Sequence, residues 1–230
     1  MTEKATGQGP LRAGSPLRTP RAAGVAGIIF SILLITALTL LRLSAPPSPG
    51  DAGIWLTDSA HRTAVAIGLN LVPFAGIAFL WFIGVLRDRI GEREDRFFAT
   101  VFLGSGLLFV GMLFVAAATA GALVASATSS AQAGSGTLAL DRNIATSLLN
   151  VYSMRMAAVF ILTTVTIARR TKFVPLWLRL AGVACAVVLL VGVGINPWVE
   201  LLFPLWILVL YADGEFSSET VSGLVQSCSA

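Results

Sequence analysis

The sequence is short of charge, histidine and cysteine, and each shortage excludes something. Charged residues make up 12% of the 230 residues and hydrophobic residues 56%, whereas soluble domains carry about 25% and about 45–50%. This balance is typical of membrane proteins. The one histidine, His61, excludes a haem held between two histidines and a zinc site of the His-x-x-x-His kind. The two cysteines, Cys185 and Cys228, lie too far apart for a disulfide framework or a metal-ligand spacing.

Six apolar runs predict an all-α fold, a polytopic membrane helical bundle of about six transmembrane helices. A transmembrane helix needs about 20 apolar residues to cross about 30 Å of hydrocarbon. The first run is longer than the ~7–15 apolar residues of a cleaved signal peptide, so we expect an uncleaved helix. The predicted spans are 22–41, 64–86, 97–125, 144–168, 176–195 and 197–211.

Asn196-Pro197 divides the last apolar region into two spans, because proline disfavours a helical conformation at the preceding residue. One helix over 176–211 would be about 54 Å long, which is too long for a single crossing. The sixth span is short, about 22 Å by the same rise. A re-entrant or interfacial segment is the alternative interpretation of that span.

The segments outside the bundle, 22–211, predict little structure. Residues 1–21 are rich in Gly, Pro, Arg and Ser, which indicates a disordered N-terminal tail, and 212–230 form a polar C-terminal tail. The loops 42–63 and 126–143 are too short to bury a core. We therefore expect no extramembrane domain that could hold an active site.

The arginines and lysines predict that both termini face the cytoplasm. In that orientation the outside loops carry three basic residues, Arg42, Arg62 and Arg142, and the inside segments carry eleven. The eleven are Lys4, Arg12, Arg18, Arg21, Arg87, Arg89, Arg93, Arg96, Arg169, Arg170 and Lys172. Because basic residues lie between apolar runs rather than on one amphipathic face, no nucleic-acid partner is expected. Tryptophans near predicted span ends, as expected of an aromatic belt, are Trp55, Trp177 and Trp198.

The loop RDRIGEREDR, residues 87–96, could suggest a divalent-metal site through its four acidic residues, Asp88, Glu92, Glu94 and Asp95. Each has an arginine within two positions, so pairing in a solvated turn, such as Glu92 with Arg96, is favoured. A site for a hard cation needs uncompensated oxygens. No metal or cofactor is therefore expected.

Small residues four positions apart indicate close contacts between helices in lipid. Three such spacings are Ala23–Gly27, Ala117–Gly121 and Gly182–Ala186.

Two prolines lie inside predicted helices. Pro73 cannot donate a hydrogen bond to the carbonyl of Leu69, and Pro204 cannot donate one to the carbonyl of Glu200. Two kinked helices would account for both. The alternative is a polar, water-accessible cavity between the second and sixth helices, beside Asn70 and Glu200.

The stretch NVYSMRM, residues 150–156, places Arg155 about six residues, or ~9 Å, inside the fourth span. A charge at that depth is a functional-site hypothesis by default. We favour a pair between Arg155 and Glu200, the one acidic residue inside an apolar run. The alternatives are that Arg155 snorkels outward along the lipid or binds an anionic substrate. Arg155 lies opposite a predicted packing face that consists of Thr146, Asn150, Ser153, Ala157 and Thr164.

The segments RTPRAAGVAGIIFSILL and HRTAVAIGLNLVPFAGIAFLWFIGVLRDRIG resemble small uncharacterised multi-pass membrane proteins of high-GC actinobacteria. The resemblance is one of layout and of Ala, Gly, Val and Arg usage, and it extends over about residues 20–210. It implies a location in the bacterial plasma membrane and no particular activity.

These patterns together predict a non-enzymatic integral membrane protein, an accessory or interaction subunit. Its expected partners are the lipid bilayer and other membrane proteins or further copies of itself. No Ser/His, His/Asp or paired-carboxylate arrangement lies within the spans, so an enzyme is not expected. The alternative is a small transporter or channel with a polar site at Arg155 and Glu200. Its candidate lining residues are Asn70, Asn150 and Asn196.

Overall fold

The structure, a computed structural model, describes residues 19–44, 58–90, 96–128, 135–171, 175–192 and 196–212. Within these ranges the chain is all-α, with six helices and no strand. This confirms the predicted helical bundle. The tails, except for residues 19–21 and 212, lie outside the described ranges, as do Trp55 and the acidic residues Glu92, Glu94 and Asp95.

The six helices follow the six predicted spans. α1 is Thr19–Ser44, α2 is Ser59–Ile90 and α3 is Arg96–Thr128. α4 runs without interruption through Ser135–Ser147, a π-helical segment Leu148–Ser153 and Met154–Thr171. α5 is Leu176–Val191, and α6 is a 3-10 segment Pro197–Leu201 continued by an α-helix over 202–212.

Four of these helices are long and apolar enough to cross a membrane: Gly24–Ser44, Ser59–Arg87, Phe97–Ala125 and Leu140–Arg169. An α-helix satisfies its backbone hydrogen bonds within its own segment, which hydrocarbon requires. The shorter apolar helices are Leu176–Val191 and Trp198–Ala212. The predicted break between them is confirmed, because Asn196 has an extended backbone with φ −138° and ψ 123°.

Glycines mark several close contacts between helices. A Cβ atom at Gly27 would lie 3.3 Å from Cδ2 of Tyr211, which joins α1 to α6. One at Gly68 would lie 3.2 Å from the carbonyl oxygen of Ala37, which joins α2 to α1. Small residues allow such approach, and packing contacts are the main attraction between helices in lipid.

The three predicted small-residue spacings differ in the structure. A Cβ atom at Gly182 would lie 2.8 Å from both Trp206 Nε1 and Val165 Cγ2, and Ala186 is fully buried, so Gly182–Ala186 is a packing contact. Gly27 is likewise in close contact. In contrast, a Cβ atom at Gly121 would meet no atom within 4 Å. Gly121 therefore makes no close contact with the residues that the structure describes, and within that part of the chain the predicted contact is wrong.

Phenylalanine rings fill the middle of the bundle. The closest pairs of ring centroids are Phe30–Phe79 at 4.6 Å, Phe102–Phe160 at 4.7 Å and Phe109–Phe203 at 4.9 Å. Most pairs are tilted or edge-on, arrangements that add about 0.5–1.5 kcal/mol each beyond the area buried. The seven rings are Phe30, Phe79, Phe82, Phe102, Phe109, Phe160 and Phe203, each at most 1% exposed. They come from five helices and hold α1, α2, α3, α4 and α6 together.

Candidate functional site

A charged cluster lies at one end of the bundle, between α1, α4 and α6. Nη2 of Arg42 donates to Oε1 of Glu200 and, at 2.7 Å, to Oδ1 of Asn150. The side chains of Arg42 and Glu200 are only 11% and 5% exposed. One cation therefore meets one anion in a poorly solvated place, where mutual attraction offsets the loss of hydration.

Each member of this cluster lies at a helix end or at an irregular turn. Arg42 lies in the last turn of α1, and Glu200 lies in the 3-10 segment that opens α6. Asn150 lies in the π-helical segment of α4. A π-helical segment is rare and is often found at functional sites. We call this end of the bundle, where α1 ends and α6 begins, the polar end.

The predicted pair between Arg155 and Glu200 is wrong, because the partner of Glu200 is Arg42. The apolar run ends at residue 41 and predicts a loop position for Arg42, but α1 continues to Ser44 and keeps Arg42 helical. Arg155 is exposed. The reason is the orientation of α4, which buries Ser153 and Ala157 completely and so directs Arg155 away from the bundle.

The three candidate lining asparagines lie in different surroundings. Asn150 contacts Arg42 and belongs to the cluster. Asn70 is exposed, and its Nδ2 donates at 2.8 Å to the carbonyl of Ala66 in its own helix. Asn196 caps α6, where its Oδ1 accepts from the backbone N–H of Trp198 at 3.0 Å. The structure therefore brings one of the three into the cluster, through its hydrogen bond with Arg42.

The two prolines lie in different surroundings. Pro73 is exposed within α2, which continues through it. Pro204 lies in the first turn of the α-helical part of α6, near the position where a helix tolerates proline best. The orientation of Pro73 toward the surroundings separates it from Glu200, which is buried.

Two buried oxygens near the polar end have no hydrogen-bond partner among the residues that the structure describes. They are Oε2 of Glu200 and Oγ of Ser153. A buried polar atom without a partner is rare in native proteins and often marks strain or a functional role. The Arg42 guanidinium thus serves one carboxylate oxygen of Glu200 and leaves the other available.

A second, exposed polar group caps α2. Oδ1 of Asp58 accepts from the backbone N–H of Ala60 at 2.9 Å, and Oδ2 lies 2.7 Å from Nδ1 of His61. The hydrogen bond from Ala60 and then the one with His61 lower the pKa of Asp58 below its ordinary value of 3.8. This is an N-cap, which satisfies a backbone donor that the first turn of a helix leaves free.

The fold and the apolar length of its helices make the chain a helical membrane protein. No protein-family model matches it, and no characterised protein or solved structure shows significant similarity to it. Sequence reasoning missed Arg42 as a site residue and the phenylalanine core. For Arg42 the available signal was its distance of a single residue from the apolar run, since helices commonly extend beyond such runs.

Proposed function

We propose that the chain is a non-enzymatic, multi-pass membrane protein that works by association with other membrane proteins, as an accessory or interaction subunit. The filled interior carries this proposal. Seven phenylalanine rings occupy the middle of the bundle, where a transporter or channel would need polar groups along a path. The charged cluster lies at the polar end of the bundle, and its one positive charge, Arg42, is paired with its one negative charge, Glu200.

Three buried hydroxyl groups beside these rings support the same function, because each donates a hydrogen bond within its own helix. Ser31 donates to the carbonyl of Gly27 at 2.8 Å. Thr164 donates to the carbonyl of Phe160 at 2.7 Å. Ser105 donates within its own helix as well, at 3.1 Å. Such bonds satisfy a hydroxyl locally and leave it with little capacity for a passing ion or substrate.

The outer surface of α3 is the best candidate for association. Only 28% of the most apolar part of Phe97–Ala125 is buried inside the bundle, whereas 61% of the corresponding part of Leu140–Arg169 is buried. A Cβ atom at Gly104 or at Gly111 would meet no atom within 4 Å. A helix with uncovered glycines permits close approach of a partner helix.

The test is crosslinking in the native membrane followed by purification of the full chain. A protein partner recovered at a constant ratio supports the proposal. Gly111→Leu should abolish that recovery, whereas Gly84→Leu, at an exposed glycine of α2 that also has no atom within 4 Å of its Cβ position, should not. Recovery of the chain alone from every crosslinking condition would contradict the proposal.

We propose that the protein lies in the bacterial plasma membrane with both termini in the cytoplasm. The resemblance to actinobacterial proteins and the distribution of eleven basic residues against three support this placement. The polar end would then face outward. Single cysteines at residues 5, 55, 135 and 225 of a cysteine-free variant test it. Labelling of position 225 from outside would contradict six crossings, and labelling of position 135 only from inside would reverse the orientation.

A small transporter is the second candidate function, and the free Oε2 of Glu200 is the observation that favours it. A buried carboxylate oxygen beside an arginine can exchange a proton or contact a cation. Proteoliposomes with pH-sensitive and chloride-sensitive dyes test this function. A proton or chloride flux that is lost in Glu200→Gln but retained in Asn70→Ala would favour the transporter over the accessory subunit.

A further inference from the structure

Arg155 is a charge on the outward side of a membrane-spanning helix. It is exposed, and no residue that the structure describes bonds or pairs with its side chain. Tyr152, three residues earlier on α4, is also exposed, at 54%. Residues three apart on a helix are neighbours on its surface. The two side chains therefore form an outward-facing pair of a guanidinium and a phenol.

The charged cluster fixes the depth of Arg155 in the bilayer. Arg42 lies two residues before the end of the apolar helix Gly24–Ser44, and so near one boundary of the hydrocarbon. Asn150 is at the same level, because Arg42 donates to it. Arg155 is five residues further along α4 and so lies deeper, by at most about 7 Å at the rise of an α-helix, because part of this stretch is π-helical. Lipid at that depth solvates a charge poorly.

The direction of α4 tilts both side chains toward the nearer membrane surface. The Cα–Cβ bonds of a helix lean toward its N-terminus, and the N-terminal part of α4 lies at the polar end. An arginine side chain can extend over a distance of about 7 Å and so reach the interface from this depth. Tyr152 lies one turn closer to the surface, where tyrosine is commonly found.

We propose that Arg155 and Tyr152 bind the phosphate of a phospholipid in the leaflet at the polar end. The guanidinium supplies a fork of N–H donors and the phenol supplies an O–H donor, which together suit phosphate oxygens. Lipid phosphate is present at the level that these side chains reach. Lipid surrounds the exposed face of α4 without any further requirement, whereas a carboxylate at that level would need a partner helix packed against this face.

A phospholipid with a photoreactive group in its headgroup tests this site on the full chain in detergent micelles. We expect labelling within residues 143–169, which contain both side chains. Arg155→Leu should weaken the apparent affinity for labelling about tenfold or more, as expected for loss of a hydrogen bond to a charged group. Tyr152→Phe should give a smaller loss, about fivefold. Arg155→Lys should retain part of the affinity, because it keeps the charge without the fork.

The matched control is Arg169→Leu, an exposed arginine at the other end of the same helix, which should leave labelling of residues 143–162 unchanged. The thermal midpoint of Arg155→Leu should match that of the wild type, since the side chain is exposed, so lost labelling would not reflect unfolding.

Three results would overturn the proposal. The first is equal labelling by a glycolipid analogue with the same acyl chains and no phosphate, which would indicate nonspecific annular lipid. The second is full competition by millimolar inorganic phosphate, which would indicate a site for a soluble anion. The third is loss of a co-purifying protein in Arg155→Leu with lipid labelling unchanged, which would assign Arg155 to a protein partner.

Discussion

Arg42 and Arg155 lie near the same end of the bundle, yet the structure gives them opposite surroundings. Arg42 is enclosed between α1, α4 and α6 and is bonded to Glu200 and Asn150. Arg155 lies on the outer face of α4 and is exposed. Depth along a span therefore does not decide whether an arginine is paired. The helix face that carries it decides, together with the presence of an acid at the same level on a neighbouring helix.

Removal of one partner of the buried pair should have the largest effect on stability. Arg42→Leu and Glu200→Gln should each lower the free energy of unfolding by about 3–5 kcal/mol, because each disrupts a desolvated ion pair and leaves a buried polar or charged group poorly compensated. The double variant should lose less than the sum of the two single losses. Unfolding in a denaturing detergent measures all three values.

The same cycle with Arg155→Leu in place of Arg42→Leu is the control. Arg155→Leu alone should change stability little, and its effect should add to that of Glu200→Gln, since the two side chains do not meet. Coupling between Arg155 and Glu200, or strict additivity between Arg42 and Glu200, would contradict the contrast between the two arginines.

Asn150 and Asn70 extend the comparison to a neutral side chain. Asn150→Ala removes the acceptor at 2.7 Å from Arg42 and should lower stability by about 1.5–3 kcal/mol, the usual range for a hydrogen bond to a charged group. Asn70→Ala removes a bond within one exposed turn and should leave stability unchanged or slightly raised, because alanine favours helix. Unfolding in detergent measures the stability of both variants. Equal losses for Asn150→Ala and Asn70→Ala would mean that the hydrogen bond between Asn150 and Arg42 does not contribute to stability.

Gly182 and Gly121 occupy matching small-residue spacings in the sequence and should respond differently to an added methyl group. Gly182→Ala would place Cβ 2.8 Å from Val165 Cγ2. Valine has few accessible rotamers, so the backbone must shift, with a loss of about 1–3 kcal/mol. Gly121→Ala meets no atom within 4 Å and should be neutral or stabilising by up to about 1 kcal/mol through helix propensity. A similar loss of stability for both variants in the same unfolding measurement would show that the four-residue spacing in the sequence, and not the atoms around each glycine, determines the effect.

The spans could be predicted because twenty or so apolar residues have few other stable conformations in lipid. The run 97–125 coincides with the apolar stretch Phe97–Ala125. The break at Asn196-Pro197 followed from proline chemistry that acts on the adjacent residue. Such features depend on local sequence, and local sequence was sufficient to find them.

The partners across the bundle could not be predicted in the same way. Phe30, Phe109 and Phe203 meet although they are far apart in the sequence, and apolar residues surround them on every helix. A helix that is apolar on all sides has no polar face to indicate its orientation. The extension of α1 to Ser44 brings Arg42 to Glu200, and this also depends on a distant segment. The Arg155–Glu200 hypothesis failed for this reason.

The cap of α2 should give the smallest effect, and its dependence on pH has a definite sign. Asp58 has a pKa below 3.8 in the folded chain, chiefly because its carboxylate accepts from the N–H of Ala60. A carboxylate with a lowered pKa stabilises the folded state above its unfolded pKa, and this contribution is lost as pH falls through the folded pKa.

Hydrogen exchange of the Ala60 amide reports this contribution locally, in a His61→Ala background that removes the neighbouring titratable ring. Near pH 6 the chain that keeps Asp58 should protect the Ala60 amide more than the Asp58→Asn variant does, because asparagine keeps the cap without the charge. The two chains should converge as pH falls through the lowered pKa of Asp58, where the carboxylate becomes protonated. Protection that differs by the same factor at both pH values would mean that the charge of Asp58 does not contribute to the cap.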